Sequence, residues 1–183
     1  AGMLAGYKGD PGVAAGEAFD PTPANLEART QRFTLANGMK VALLPKKTRG
    51  ETVQLQVRLH FGDETSLAGT PPRGELAAAM LSRGTRRHDR QAYEDALDRL
   101  RAKLAIAGSE TGIVASGETV RTHLPELLRL TAEAIREPAF AAAEFDRLKR
   151  ERTTEIAEQR TDPEAIAERA LARWNNPYPK GDV

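Results

Sequence analysis

The sequence predicts an α+β fold, a largely antiparallel sheet with helices packed on one face, and three observations carry that prediction. From Thr52 to Phe61 apolar and polar residues alternate strictly, the period-two signature of a strand with one buried and one wetter face. Asn37-Gly38 lies between two short β-prone runs, and this dipeptide favours the tight hairpin that joins antiparallel strands. The last third of the chain carries apolar residues at helical spacing, so helices follow the strands.

Taken in order, residues 1–30 are rich in Gly, Pro and Ala. Pro11, Pro21 and Pro23 each bias the local backbone away from helix, so this stretch reads as a linker after a further domain, and low-complexity disorder fits residues 1–20 as well. The start Ala1-Gly2-Met3 reads as a segment of a longer polypeptide. Phe33 and Leu35 lead to the Asn37-Gly38 turn, and Val41 to Leu44 form the return strand up to Pro45. In the long strand Val53, Leu55, Val57, Leu59 and Phe61 share the core face, while Gln54, Gln56, Arg58 and His60 share the other. Leu76, Ala79 and Met80, at i, i+3 and i+4, predict a core-facing helix, and Tyr93, Ala96, Leu97 and Leu100 predict another. Two short strands are expected around Leu104-Ala105-Ile106 and Ile113-Val114-Ala115, flanking a Glu110-Thr111-Gly112 turn. Leu124, Leu127, Leu128, Thr131 and Ile135 mark a helix ended near Pro138, and Phe145, Leu148 and Ile156 a second, heavily charged one. Asp162 before Pro163 starts a third, whose apolar face is Ala167, Ala170, Leu171 and Trp174. No internal repeat is visible.

With 183 residues the chain can hold one good core. Its 27 basic and 26 acidic residues nearly balance at +1, which gives no electrostatic case for a nucleic-acid or anionic-membrane partner. The basic run Arg83 to Arg90 is short and interrupted, and reads as a solvated turn between helices. Cysteine is absent, so neither a disulfide nor a thiolate metal site can form. No apolar run is long enough for a membrane span, and the first residues do not form a signal peptide. None of the three histidines lies four residues from another: His60 is on the polar strand face, His88 in the Arg-rich turn, and His123 near a helix start. Each reads as an ordinary surface or hydrogen-bonded residue. Nucleophile-elbow, phosphate-loop and dinucleotide motifs are absent, and Gly62 and Gly69 read as turn residues.

One segment carries more information. Gly74-Glu75-Leu76-Ala77-Ala78-Ala79-Met80-Leu81-Ser82-Arg83-Gly84-Thr85 follows the long strand and Phe61-Gly62-Asp63-Glu64. In this order and spacing the segments resemble the pitrilysin/insulinase (M16) family of zinc peptidases, which includes the processing peptidases. Active members of the family carry His-x-x-Glu-His on this helix, followed by Met and a Gly-Thr. With Met80 and Gly84-Thr85 fixing the register, the histidine positions fall on Glu75 and Ala79 and the catalytic glutamate position on Ala78. Residues four apart share a helical face, so two imidazoles can reach one ion while the glutamate activates its bound water. A methyl group does neither. Glu151-Arg152-Thr153-Thr154-Glu155-Ile156 resembles the segment of the third ligand, with Glu155 at the matching place. One or two carboxylates without an imidazole make a poor zinc site.

The resemblance therefore implies a non-catalytic repeat with no cofactor of its own, and zinc in a partner catalytic repeat, either in the same polypeptide or in a separate subunit. Its function would be to close a substrate chamber and assist peptide binding, with Gln54, Gln56, Arg58 and His60 lining the chamber wall. The alternative is a scaffold or interaction domain without a role in proteolysis; an enzyme with a relocated metal site is a third reading. The ending Asn176-Pro177-Tyr178-Pro179-Lys180-Gly181-Asp182-Val183 resembles a family segment that precedes further helix and a closing strand, so residues 31–183 read as an incomplete repeat that leaves a sheet edge uncovered. The compartment is not determined by the sequence; a periplasmic location would follow only from resemblance to bacterial relatives.

Overall fold

A computed structural model describes residues 15–63, 66, 73–109 and 111–175. The expectations placed on residues 1–14, Glu64, Gly69, Glu110 and the ending 176–183 lie outside the described residues.

The described chain runs α1 (Pro23–Arg29), β1 (Gln31–Thr34), β2 (Lys40–Leu43), β3 (Thr52–His60), α2 (Arg73–Leu81), α3 (Arg90–Arg99), β4 (Lys103–Gly108), β5 (Gly112–Val120), α4 (Leu124–Arg136), α5 (Ala142–Gln159) and α6 (Pro163–Asn175). All strand pairs are antiparallel. β1 and β2 form a hairpin whose turn holds Gly38 at φ +84° and is closed by Asn37 Oδ1 accepting from the Met39 N–H at 3.1 Å. The main sheet has the order β3-β5-β4. Its two later strands are longer than the sequence suggested, because pairing with β3 extends β5 over all nine residues from Gly112 to Val120.

A helix stands at Pro23–Arg29, where the Pro-rich composition predicts none. Pro23 occupies the first turn, where its missing N–H has no intrahelical partner to lose. Residues 17–30 dock on the segment after β2: Glu17 pairs with Arg29 at 2.8 Å, Arg29 donates to the Pro45 carbonyl, and Lys46 sits 4.8 Å from the Phe19 ring.

The sheet register sorts side chains onto two faces. Val53, Leu55, Val57 and Leu59 stand opposite Thr119, Gly117, Ala115 and Ile113, and Leu104 and Ile106 on β4 join the same side. The helices cover that side, and the core sits there: Tyr93, Ala96, Leu130 and Ala134 form a buried cluster with Leu97, Leu100, Leu104 and Ile106 against it. The Tyr93 hydroxyl donates to the Leu130 carbonyl at 2.9 Å, tying α3 to α4. His123 Nδ1 and Thr119 Oγ1 both reach the Leu100 carbonyl at 2.9 Å and hold the end of α3 over the sheet.

Four helical faces differ from expectation. On α2 the buried residues are Ala78, Met80 and Leu81, while Leu76 is exposed and Ala79 half-buried. The reason is the close approach of α2 to β4: a Cβ at Gly108 would stand 2.6 Å from the Gly74 carbonyl and 2.7 Å from the Ala78 Cβ, so the small residues face the strand. On α4 the buried stripe is Leu127, Leu130, Thr131 and Ala134, and Leu128 is exposed. On α5 only Leu148 is buried; Phe145 and Ile156 are exposed, as are Ile166, Leu171 and Trp174 on α6. Periodicity identifies an apolar face but not the neighbour that covers it.

Candidate functional site

α2 and α5 stand side by side, and the cleft they form with α3 and β4 has a volume of about 510 Å³. Ala79 and Glu155, the positions expected for the second and third ligands, line this one cleft. The structure does not bring the other two motif positions into it. Glu75 is exposed, and Ala78, at 1% exposure, is pressed against Gly108.

The cleft is lined by charges that pair with one another. Arg83, which follows α2, reaches α5: its Nη2 meets Glu151 Oε2 at 2.5 Å and its Nη1 approaches Glu144 Oε2 at 3.5 Å. Arg90, at the start of α3, approaches the same Glu144 oxygen at 3.6 Å and pairs with Glu94 at 2.9 Å. Arg152 holds Glu155 at 2.7 Å. The hydrogen bond from Arg83 keeps the Glu151 carboxyl below its usual range. Arg83 Nη1 and Glu144 Oε2 are buried without a hydrogen bond, so the pair is held by charge alone. The helices that carry the positions expected for metal ligands are cross-linked by an arginine.

The basic run after α2 is not merely a solvated turn. Thr85 is buried, and its hydroxyl donates to Glu133 Oε1 while accepting the backbone N–H groups of Arg87 and His88. His88 Nδ1 lies 2.8 Å from the same Glu133 oxygen, and since an ionised carboxylate only accepts, Nδ1 carries the proton. Arg87 pairs with Glu137 at 3.0 Å. Burial pushes the Glu133 carboxyl up, but the hydrogen bonds from Thr85 and His88, aided by the charge of Arg87, outweigh it and leave the pKa lowered. Burial raises the Tyr93 hydroxyl, with the negative charge of Glu133 adding to it. Sequence reasoning missed this cluster, because Thr85, His88 and Glu133 converge only when α4 packs beside the turn.

Gln54, Gln56, Arg58 and His60 lie together on the open face of β3, beside Ser116 and Glu118 of β5. Arg58 Nε donates to Gln56 Oε1 at 2.9 Å, and Gln54 Nε2 reaches Glu118 at 3.4 Å. Leu104 and Ile106 of the cleft belong to the opposite face, so the sheet separates these four residues from Ala79 and Glu155. Among the described residues no three His, Cys, Asp or Glu side chains are grouped so as to hold a metal ion, and no helix is long and apolar enough to cross a membrane.

No family model matches the chain. The mitochondrial-processing peptidase subunit alpha of Solanum tuberosum is 27% identical over 172 residues, covering 86% of this chain and 32% of that protein. Among solved structures, the peptidase M16 inactive domain from Pseudomonas fluorescens is similar at a TM-score of 0.64 and 22% identity, over 76% of this chain and 34% of that one. The ferredoxin protease FusC, in complex with Arabidopsis ferredoxin, is similar at a TM-score of 0.67 and 17% identity, over 92% of this chain and 19% of that one. The fold is thus the α+β fold of an insulinase-like peptidase repeat. In sequence the chain is similar to a processing-peptidase subunit, and in fold to M16 peptidase domains, one of them described as inactive. The chain spans about a third of the length of the curated relative.

Proposed function

We propose that this chain is a non-catalytic unit of a zinc metallopeptidase, with residues 31–183 forming part of one repeat, and that it closes a substrate chamber and assists peptide binding for a separate zinc-bearing repeat. The observation that carries the reading is the cleft itself. Its helices have the peptidase arrangement, yet Ala79 presents a methyl group and Glu155 is engaged by Arg152. Such a set does not fit zinc, which takes imidazole or thiolate donors with at most a supporting carboxylate. Ala78 has neither the charge to activate water nor, against Gly108, the room for a longer side chain.

Peptide contact is assigned to the open sheet face rather than to the cleft. The cleft's carboxylates are occupied by arginines, whereas Gln54, Gln56, Arg58 and His60 offer a row of polar groups on exposed β-strand. Among the described residues β3 is also an edge strand, so an extended peptide can add to its free edge through backbone hydrogen bonds while its side chains meet this polar face. The partner is a catalytic repeat of the same family, in the same polypeptide or in a second subunit. The similar ferredoxin protease is seen in complex with ferredoxin, so a protein substrate is within the reach of this fold.

The test is peptide hydrolysis by the catalytic repeat with and without this unit, then with Arg58→Ala and His60→Ala together. A sharp rise in hydrolysis on adding the unit, and a raised KM with the double variant, is the expected result. A catalytic repeat that works equally well alone would overturn the reading and favour a scaffold domain.

A further inference from the structure

A second groove lies between α3 and α4, on the far side of α3 from the cleft described above, with a volume of about 830 Å³. Its floor is apolar, built from Ala96, Leu100 and Leu130. Four arginines and three glutamates stand around it, and the three carboxylates are all engaged: Glu126 by Arg129 at 2.5 Å, Glu137 by Arg87, and Glu133 by Thr85 and His88. That leaves Arg99 and Arg136 without an acidic partner among the described residues.

α3 and α4 run antiparallel, since the end of α3 is tied to His123 before α4 and its start lies beside Glu133 and Glu137 near the end of α4. Arg99 therefore stands at one end of the groove and Arg136 at the other. About ten residues of helix separate Glu126 from Arg136, a span of about 15 Å at 1.5 Å per residue. An apolar floor with a free guanidinium at each end complements a segment that carries carboxylates at both ends and apolar side chains between them. We propose that this groove docks an acidic, amphipathic segment of a protein partner, with its carboxylates on Arg99 and Arg136 and its apolar side chains on Ala96, Leu100 and Leu130. A continuous phosphate backbone is disfavoured, because the groove offers only two guanidinium groups that are not already paired, too few to neutralise a row of phosphates. Guanidinium groups suit the role because they pair with carboxylates through two parallel hydrogen bonds.

The experiment measures anisotropy of a fluorescein-labelled helical peptide with glutamates two to three turns apart and leucines between, titrated with the full chain. The double variant Arg99→Glu, Arg136→Glu is compared with Arg150→Glu, which reverses one charge on exposed α5 away from the groove. Saturable binding that weakens at least tenfold in the double variant and stays within about twofold in the control is the expected result. Unchanged circular dichroism in both variants establishes that the fold is kept. An absence of saturable binding, an equal loss in the control, or displacement of the peptide by a single-stranded oligonucleotide of matching charge would each overturn the proposal.

Discussion

Arg83 is the residue on which the junction between α2 and α5 depends. Its side chain is 14% exposed and faces Glu144, itself 22% exposed, so removing the guanidinium leaves this mostly buried carboxylate with only the longer contacts to Arg90 at 3.6 Å and Arg147 at 3.9 Å. Arg83→Met is therefore expected to destabilise the protein by roughly 2–3 kcal/mol, less than a fully buried pair because solvent reaches part of the network. Urea unfolding would check it, and a loss close to zero would show that the cross-link adds nothing to stability. Glu133 makes a second residue-scale prediction. Its folded pKa lies below the unfolded value, so the stability it contributes is present at neutral pH and is lost as pH falls through the folded pKa. The groups facing it are Thr85 and His88 from the turn, Arg87 beside them, and Tyr93 from α3. The urea midpoint of the native chain should fall on acidification through the carboxylate range, and Glu133→Gln should remove that part of the slope. Equal slopes in the two proteins would disprove the assignment.

Among elements, α2 is defined by how closely it lies on β4. Gly108→Ala puts a methyl group within 2.7 Å of Ala78 Cβ and 2.6 Å of the Gly74 carbonyl, so helix or strand must shift, at a cost of about 1–3 kcal/mol. Ala78→Glu, which puts a glutamate where the resemblance to zinc peptidases would expect one, meets the same strand and adds an unpaired charge. We expect it to destabilise by more than Gly108→Ala, with no gain in zinc binding. Thermal melts of the two variants, with and without zinc, decide this; a zinc-raised melting temperature would sink it. α6 presents the opposite case. Trp174, the only tryptophan, is 86% exposed, so its fluorescence should be water-like and readily quenched by acrylamide. A partner that covers α6 would shift the emission to the blue and protect it. Element types were legible because alternation and helical spacing are local properties of the chain. The covered faces of α2, α4 and α5 were less so, since the exposure of Leu76, Leu128, Phe145 and Ile156 depends on which neighbour each helix meets.

At the scale of the whole molecule, the sheet carries helices on one face and an open polar face on the other, and it pairs on only one side of β3 and of β4 among the described residues. Backbone groups on these outer edges are available to a further strand or to an extended peptide. This suits a unit that works against a second body, and the hydrolysis experiment with the catalytic repeat tests it directly. By itself the sequence determined the α+β class, the hairpin and the two faces of β3. Each of these follows from residue identity or from spacing over a few positions. Only the tertiary structure decided that Ala79 and Glu155 share a cleft while Ala78 is shut against Gly108. It alone placed Gln54, Gln56, Arg58 and His60 across the sheet from that cleft, and joined Arg83 to Glu151 and Thr85 and His88 to Glu133. The physical reason is that these contacts link residues far apart in the chain, and the packing of helices on the sheet selects them, which no local pattern encodes.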